Sequence, residues 1–435
     1  MDTIISLLAF LIISIMGVKY ANSRNWAFVT SPYNTKDNLR VSARQRFILF
    51  LLAVGVVQAG SFSATLLLVW IVLLVILLFK YGTRFSDSNL FTFYTLYLIW
   101  LLFSLISSSE PDFGFRMFAK YLFPFLVALV TSSIPNADAF FLKSLKVCFA
   151  SALFVNLIIG LPYIIPIDFI TIPIFAPIIW WAPAIIDFNP FAITVALVLH
   201  RLTKKKIYLL VILLFILPAV LGAVRTGLVG IGFLMIAISF FKYKLRALPV
   251  FIGIILLFMG SILFIPGIRD KMFRGEYQSA DEVINSLGNS LALDNLETSG
   301  RSDLWEWSLN NFYKGNELMG SGIGQVQAML YAGNSPFPEL NALHSDYILM
   351  LCDSGQIGLV LYLLILGSFV AHSFRIYNNK KNNESARNSA FIAGTSLCGI
   401  MACAFTDNVI NYSLITLTYP YAFFGFALAL QKIKN

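Results

Sequence analysis

Apolar runs of about 20 residues follow one another along most of this 435-residue chain. A helix that crosses the hydrocarbon core of a bilayer needs about 20 mostly apolar residues. Hydrophobic residues make up 58% of the chain and charged residues 12%, whereas an ordinary globular protein has about 25% charged residues. The pattern predicts an all-α, polytopic integral membrane protein. It excludes a soluble domain, a disordered chain and a disulfide scaffold.

The apolar runs predict about thirteen membrane-spanning helices, in a range of about 12 to 14. The first run follows Met1-Asp2 without a basic n-region, so it is expected to remain as a span. The predicted spans lie near 4–18, 46–60, 63–80, 90–107, 117–134, 142–164, 188–201, 207–224, 226–241, 247–266, 346–371, 388–405 and 412–430.

Basic residues fall unequally on the two sides of these spans. With the C-terminus placed in the cytoplasm, 23 of the 31 Lys and Arg residues lie on the cytoplasmic side. This asymmetry agrees with the positive-inside rule, and an odd number of spans puts the N-terminus outside. The net charge of +9 is therefore explained by topology, and nucleic acid is not an expected partner.

One connection, at 267–345, is polar and about 80 residues long, and it lies on the outer side. A structureless loop of this length is unusual, so it is expected to be folded and functional. The chain is thus divided into an N-terminal bundle of transmembrane helices (1–266), a large helical loop on the outer side (267–345) and C-terminal transmembrane helices (346–435). Residues 302–312 have helical periodicity with Ser302 as a candidate N-cap, and the glycines of 320–324 indicate a turn.

Three residues on the outer side are candidates for chemistry. Arg225 interrupts an apolar hairpin, and its planar guanidinium suits phosphate oxygens; the alternative is an arginine that snorkels at a helix end. Arg301 precedes a helix start, where anions are favoured; the alternative is a surface salt bridge. His344 precedes the run from Ile348 and is the only histidine on this side, so it is the candidate general base; the alternative is an ordinary interfacial residue.

Further charged residues fit several roles. Asp353 and Asp407 lie in or beside apolar runs, where an acid is a proton relay, the partner of an arginine or a helix cap. Arg116 and Arg269 add positive charge on the outer side and are candidate supports for a bound anion. The four cysteines lack CxxC spacing, and there is no Asp-x-Asp motif or His/Cys cluster. The sequence therefore predicts neither a metal site nor a cofactor.

The ordered set of motifs resembles a known family. The segments concerned are Ala223-Val224-Arg225-Thr226-Gly227, Ser299-Gly300-Arg301 and His344-Ser345-Asp346-Tyr347. In the last motif, nine residues separate His344-Ser345 from Gly355-Gln356-Ile357-Gly358. They flank the large outer loop, and over about residues 205–410 the chain is similar to the O-antigen polymerase and O-antigen ligase superfamily of bacterial envelope glycan assembly.

The resemblance implies a metal-independent, GT-C-like glycosyltransferase in the bacterial inner membrane, with its active site facing the periplasm. The expected donor and acceptor are glycans linked to undecaprenyl pyrophosphate, in contact with membrane lipid, and a chain-length regulator protein is a further expected partner. Arg225 and Arg301 would hold the pyrophosphate, His344 would accept the proton of the acceptor hydroxyl, and Asp346 would orient the histidine.

The kind of transfer stays open between alternatives. A polymerase, which adds the glycan to a lipid-linked repeat unit, is preferred because His344-Ser345-Asp346-Tyr347-Ile348-Leu349 looks more like the polymerases. A ligase, which transfers the glycan to the lipid A core, is the alternative. A transporter of lipid-linked glycan is a third hypothesis, but a large outer loop with a histidine fits chemistry better than alternating access.

Overall fold

The structure, a computed structural model, describes residues 43–57, 63–81, 89–163, 178–179, 182–222, 224–264, 301–337 and 339–431. These residues form helices and turns and contain no β-strand. In chain order the α-helices are α1 (Ala43–Val54), α2 (Ser63–Tyr81), α3 (Asn89–Ile106), α4 (Pro111–Ser132), α5 (Ala137–Gly160), α6 (Ala182–Thr203), α7 (Ile207–Leu221), α8 (Arg225–Tyr243), α9 (Leu248–Phe264), α10 (Arg301–Ser308), α11 (Gln325–Tyr331), α12 (Asp346–Asn378), α13 (Glu384–Cys403) and α14 (Thr418–Gln431). The predicted all-α class is confirmed.

Several of these helices are long and apolar enough to cross a membrane. Within the described residues there are six such stretches: Asn89–Ile106, Pro111–Ser132, Ala137–Tyr163, Ala182–Thr203, Arg225–Ile254 and Asp346–Asn378. Two shorter apolar helices, Leu67–Lys80 and Ile207–Leu221, accompany them. The protein is therefore a multi-pass membrane protein. The predicted first span, near 4–18, lies outside the described residues.

The helices pack into one bundle around an aromatic and small-residue core. Helix α13 lies against α6, α8, α12 and α14, and α14 also packs along α4. The ring of Phe369 stacks on that of Phe424 with centroids 4.5 Å apart, and Gly425 lies so close to Thr131 that any added Cβ would collide with its hydroxyl. These contacts hold α12, α14 and α4 together and fix where their ends lie.

The bundle has two chemically different ends. At the first, called the Arg387 end, α12 terminates, α5 and α13 begin, and Arg387 Nε donates to the carbonyl of Tyr377 at 2.9 Å. At the second, called the His344 end, α12 begins and α13 terminates, and the N–H of Asp346 donates to the carbonyl of Ala404 at 2.9 Å. All the candidate site residues that the structure describes lie toward the second end.

Two local predictions are corrected by the structure. The predicted spans 388–405 and 412–430 leave only a short loop between them, but α14 begins at Thr418 and residues 404–417 are a mostly buried, irregular segment. Ser302 is not the N-cap of its helix, because α10 already begins at Arg301. The remaining part of the predicted helix continues as a π-helical turn, Leu309–Tyr313. The division into parts at 266 and 345 stays a prediction.

Candidate active site

His344 lies at the end of an extended connection, one residue before the N-cap of α12. Its φ of +52° is left-handed, a backbone conformation that is uncommon for residues other than glycine and is often found at functional sites. The backbone N–H of His344 donates to Asn408 Oδ1 at 3.1 Å. Ser345 then caps α12 by accepting from the N–H of Ile348. The imidazole is thus fixed between a helix start and the 404–417 segment.

The imidazole of His344 faces a buried carboxylate. Its Nδ1 lies 3.4 Å from Asp407 Oδ1, with the His344 side chain 24% exposed and that of Asp407 7% exposed. A carboxylate accepts only, so this contact favours the tautomer with the proton on Nδ1. Asn408 Nδ2 lies 3.2 Å from the same Nδ1. Because an amide nitrogen donates, this contact fits the tautomer with the proton on Nε2. Within the described residues Nε2 makes no hydrogen bond, so it is open to a ligand.

Arg301 begins α10 and approaches the same segment from another side. Its Nη1 donates to the carbonyl of Thr406 at 2.6 Å, directly beside Asp407. Helix α10 is also tied to the residue before the histidine, because Trp305 Nε1 donates to the carbonyl of Leu343 at 2.7 Å. The start of α10 and His344 therefore keep a fixed relation to each other. The half-buried guanidinium retains further N–H groups that can bind an anion.

Arg225 is the first residue of α8 and is half-buried. The next carbonyl, that of Thr226, accepts from Cys403 Sγ at 3.4 Å. One turn further, a Cβ added at Gly230 would lie 2.3 Å from the same sulfur, so α8 can approach α13 this closely only with glycine there. This packing brings the start of α8 to the point where α13 ends and the 404–417 segment begins.

The contacts of Cys403, at the end of α13, and of the 404–417 segment that follows it connect all three main candidates. Cys403 contacts the turn of Arg225, the carbonyl of Thr406 binds Arg301, and Asp407 faces His344. A further acid, Asp187 of α6, is fully buried in the same region as Asp407 and Arg301. The first turn of α8, the guanidinium of Arg301, the imidazole of His344 and two buried acids are thus brought to the same end of the bundle.

The other candidate residues have different positions. Asp346 is fully buried, and its Oδ2 accepts from the N–H of Ile410 at 2.9 Å. It supports the 404–417 segment, and the carboxylate that contacts the imidazole is Asp407. Arg116 lines a neighbouring cavity between α2, α4 and α11. Arg269 lies outside the described residues.

Asp353 is a helix cap. Its Oδ2 accepts from the N–H of Gly324 at 2.9 Å and its Oδ1 from that of Val326 at 3.4 Å, so it binds the start of α11. Of the three roles open for this acid, the structure shows capping. The glycine turn that precedes α11 has positive φ at residues 320, 322 and 324, which confirms the predicted turn.

Helix α12 is broken at Gly355, two residues after Asp353. Gly355 has φ +67° and ψ −170°, and the freed N–H of Gln356 donates to the carbonyl of Glu317 at 2.8 Å. The outer loop is thereby attached to the broken helix. The Glu317 side chain is held by the N–H of Gly315 at 2.9 Å, and this hydrogen bond lowers the pKa of the carboxyl.

Sequence reasoning missed the importance of the 404–417 segment. Polar residues cluster in its first half, at Thr406, Asp407, Asn408 and Asn411, and stand out between two apolar runs. Irregular backbone at membrane depth is tolerated only where protein buries it or where it lines a cavity. The cluster was therefore a usable signal for a site, although its partners could not be read from it.

The fold is that of a multi-pass helical membrane protein, and two arginines, a histidine and a buried acid lie toward one end of its bundle. Residues 208–363 match the family model described as O-antigen ligase. The matched region begins in α7, ends in α12 and includes Arg225, Arg301 and His344. The match confirms the resemblance to the O-antigen polymerase and ligase superfamily and supports a function of this general type. No curated protein matches the chain.

Proposed function

We propose that this protein is a surface-polysaccharide polymerase. It transfers a glycan from undecaprenyl pyrophosphate to a lipid-linked repeat unit at the outer face of the bacterial inner membrane. The observation that carries the proposal is the imidazole of His344, which has Nδ1 toward Asp407 and Nε2 open. A general base must reach the proton that it abstracts, and Nε2 is the free nitrogen.

The proposed transfer is a displacement at the anomeric carbon of the donor. The acceptor hydroxyl oxygen forms the new C–O bond, and the bond from that carbon to the pyrophosphate oxygen breaks. The hydroxyl proton passes to Nε2 of His344, and Asp407 stabilises the resulting imidazolium. The electron pair leaves with the pyrophosphate, whose developing charge is stabilised by the guanidinium groups of Arg225 and Arg301.

Arginines take the charge-stabilising role that a metal ion has in other pyrophosphate chemistry. Within the described residues no group of three or more His, Cys, Asp or Glu side chains is arranged to hold a metal ion. We expect the rate of transfer by the purified protein to be unchanged in EDTA. A rate that falls on chelation and returns with Mg²⁺ or Mn²⁺ would contradict this part of the proposal.

The charges at the two ends of the bundle support an orientation in the membrane. The Arg387 end carries most of the basic connections, among them 204–206 and 380–381, so the positive-inside rule favours the cytoplasm for it. The His344 end then faces the periplasm, where a chain-length regulator protein would be a partner.

Ligation of the finished glycan to the lipid A core is the second candidate function. The match of residues 208–363 to a family described as O-antigen ligase favours it. Both reactions use the same donor and the same base, and they differ in the acceptor.

The deciding experiment is the glycan profile of a strain that carries His344→Ala in place of the native residue. Chains that shorten to one repeat unit on the lipid core support the polymerase. Long chains that stay on the undecaprenyl carrier and never reach the core identify a ligase. A ladder like that of the native strain would show that His344 is not the base and would overturn both functions.

A further inference from the structure

A cavity of about 550 Å³ opens at the His344 end, between α2, α4, α11 and residues 411–414. One part of its wall is apolar and belongs to helix faces that are open to the membrane, since Leu68 is 44% exposed and Phe115 53% exposed. The other part is polar and holds Arg116, Lys120 and Asn411. A cavity with a cationic wall and a membrane-facing apolar wall suits an amphipathic anion.

The direct partners of the two cations of this cavity are a neutral amide and an aromatic ring. Lys120 Nζ donates to the neutral amide oxygen of Asn411 at 2.6 Å. The guanidinium of Arg116 lies over the ring of Phe113, 5.3 Å from its centroid. Neither side chain forms an ion pair with a carboxylate in the part of the chain that the structure describes. Two cationic side chains beside an apolar wall, neither in direct contact with a carboxylate, favour a phosphate group over a neutral ligand.

The cavity shares a wall with the candidate active site. Asn411, which binds Lys120, belongs to the same 404–417 segment as Asn408, which binds His344. Gln327 forms another part of the wall, and its Nε2 donates to the carbonyl of Asn341 at 3.0 Å, in the stretch that leads to His344. A ligand in the cavity would therefore contact residues that are linked to His344 through this segment, and Arg301 approaches Thr406 of the same segment.

We propose that this cavity binds the phosphate of a second lipid, the acceptor of the proposed transfer. Arg116 and Lys120 bind the phosphate oxygens, and the apolar wall takes the beginning of the lipid chain. This inference rests on the proposed function, because Arg225 and Arg301 are assigned to the donor phosphates there. The cations of the cavity are assigned to the acceptor phosphate. The base then lies between donor and acceptor. The shared chemistry is a lipid phosphate, which both a lipid-linked repeat unit and a phosphorylated lipid A core carry.

The test counts bound lipids on the full chain by native mass spectrometry, with undecaprenyl pyrophosphate as the probe. We expect the native protein to bind two. The double variant Arg116→Ala, Lys120→Ala should bind the second lipid with an affinity reduced about tenfold or more, because two charge-assisted contacts are removed. The first lipid should remain. Lys314→Ala, which removes an exposed cation outside the cavity, should bind both.

Misfolding is separated from loss of the site by Arg116→Lys, Lys120→Arg. This variant keeps both charges and should keep most of the second binding. Unchanged binding of two lipids by the alanine double variant would overturn the inference. Equal displacement of the second lipid by phosphatidylglycerol would also overturn it, since the cavity would then take any anionic phospholipid.

The outcomes for donor and acceptor are distinguishable. The variant Arg225→Ala, Arg301→Ala should lose the first lipid and keep the second. If it keeps both while the cavity variant loses one, the donor assignment of the proposed function fails and the cavity stands. If the second site prefers bisphosphorylated lipid A to undecaprenyl pyrophosphate, the result supports the cavity as the acceptor site and identifies the protein as a ligase.

Discussion

The two ends of the bundle contain the same kinds of residue in different surroundings. At the Arg387 end, His372 packs its ring near Phe424 with centroids 5.6 Å apart, and Asp138 is exposed. At the His344 end, the imidazole faces the buried carboxylate of Asp407. Residue type alone therefore does not mark a site. The difference lies in burial and in the irregular segment that brings the polar groups together.

The arginines show the same contrast. Arg387 and Arg301 each donate to a backbone carbonyl, that of Tyr377 at 2.9 Å and that of Thr406 at 2.6 Å. Arg387 joins two helix ends, which is a structural role. Arg301 binds the residue before Asp407, the acid that faces His344, and under the proposed function its other N–H groups would bind the donor. Variants made in pairs, one at each end, test whether this contrast is functional.

The largest difference is expected between the histidines. His344→Ala should slow glycan transfer by about 10²–10⁴, the usual contribution of a general base, whereas His372→Ala should leave the rate unchanged. The rate is measured with purified protein in nanodiscs and a lipid-linked repeat unit. His344→Asn serves as a second variant because asparagine tolerates left-handed backbone. Equal rates for the two alanine variants would remove the functional distinction between the ends.

A smaller difference is expected between the arginines. Arg225→Lys and Arg301→Lys should each reduce transfer about 10- to 100-fold, because lysine is a point charge and cannot reproduce bidentate binding of phosphate oxygens. Arg387→Lys keeps the charge at the opposite end and should transfer at the native rate. Near-native glycan length in a strain with Arg225→Lys would argue against the pyrophosphate role.

The smallest of the three differences is expected between the carboxylates. Asp407→Asn should lower kcat about tenfold and leave the KM for the donor unchanged, because the residue acts on the substrate only by orienting the imidazole. Asp138→Asn, which changes the acid that contacts Asn383 at the other end, should leave both constants unchanged. A raised donor KM with Asp407→Asn would show that the acid acts on binding.

The sequence predicted the helices well because hydrophobic periodicity and length are local properties. It predicted Arg225, Arg301 and His344 as candidates because charges are conspicuous in an apolar chain. The sequence did not reveal the irregular segment at 404–417, because Val409, Ile410 and Leu414 extend the apolar character of the next predicted span. The choice of Asp407 rather than Asp346 as the partner of the histidine depends on which carboxylate a buried turn directs toward it. No spacing rule encodes that contact.

The left-handed backbone of His344 has a consequence for chemical rescue. At φ +52° glycine is the residue with the smallest conformational penalty, so His344→Gly keeps the connection to α12 unstrained. It also leaves the space of an imidazole empty beside Asp407. Free imidazole from solution can therefore occupy this space in His344→Gly and replace the missing side chain as proton acceptor.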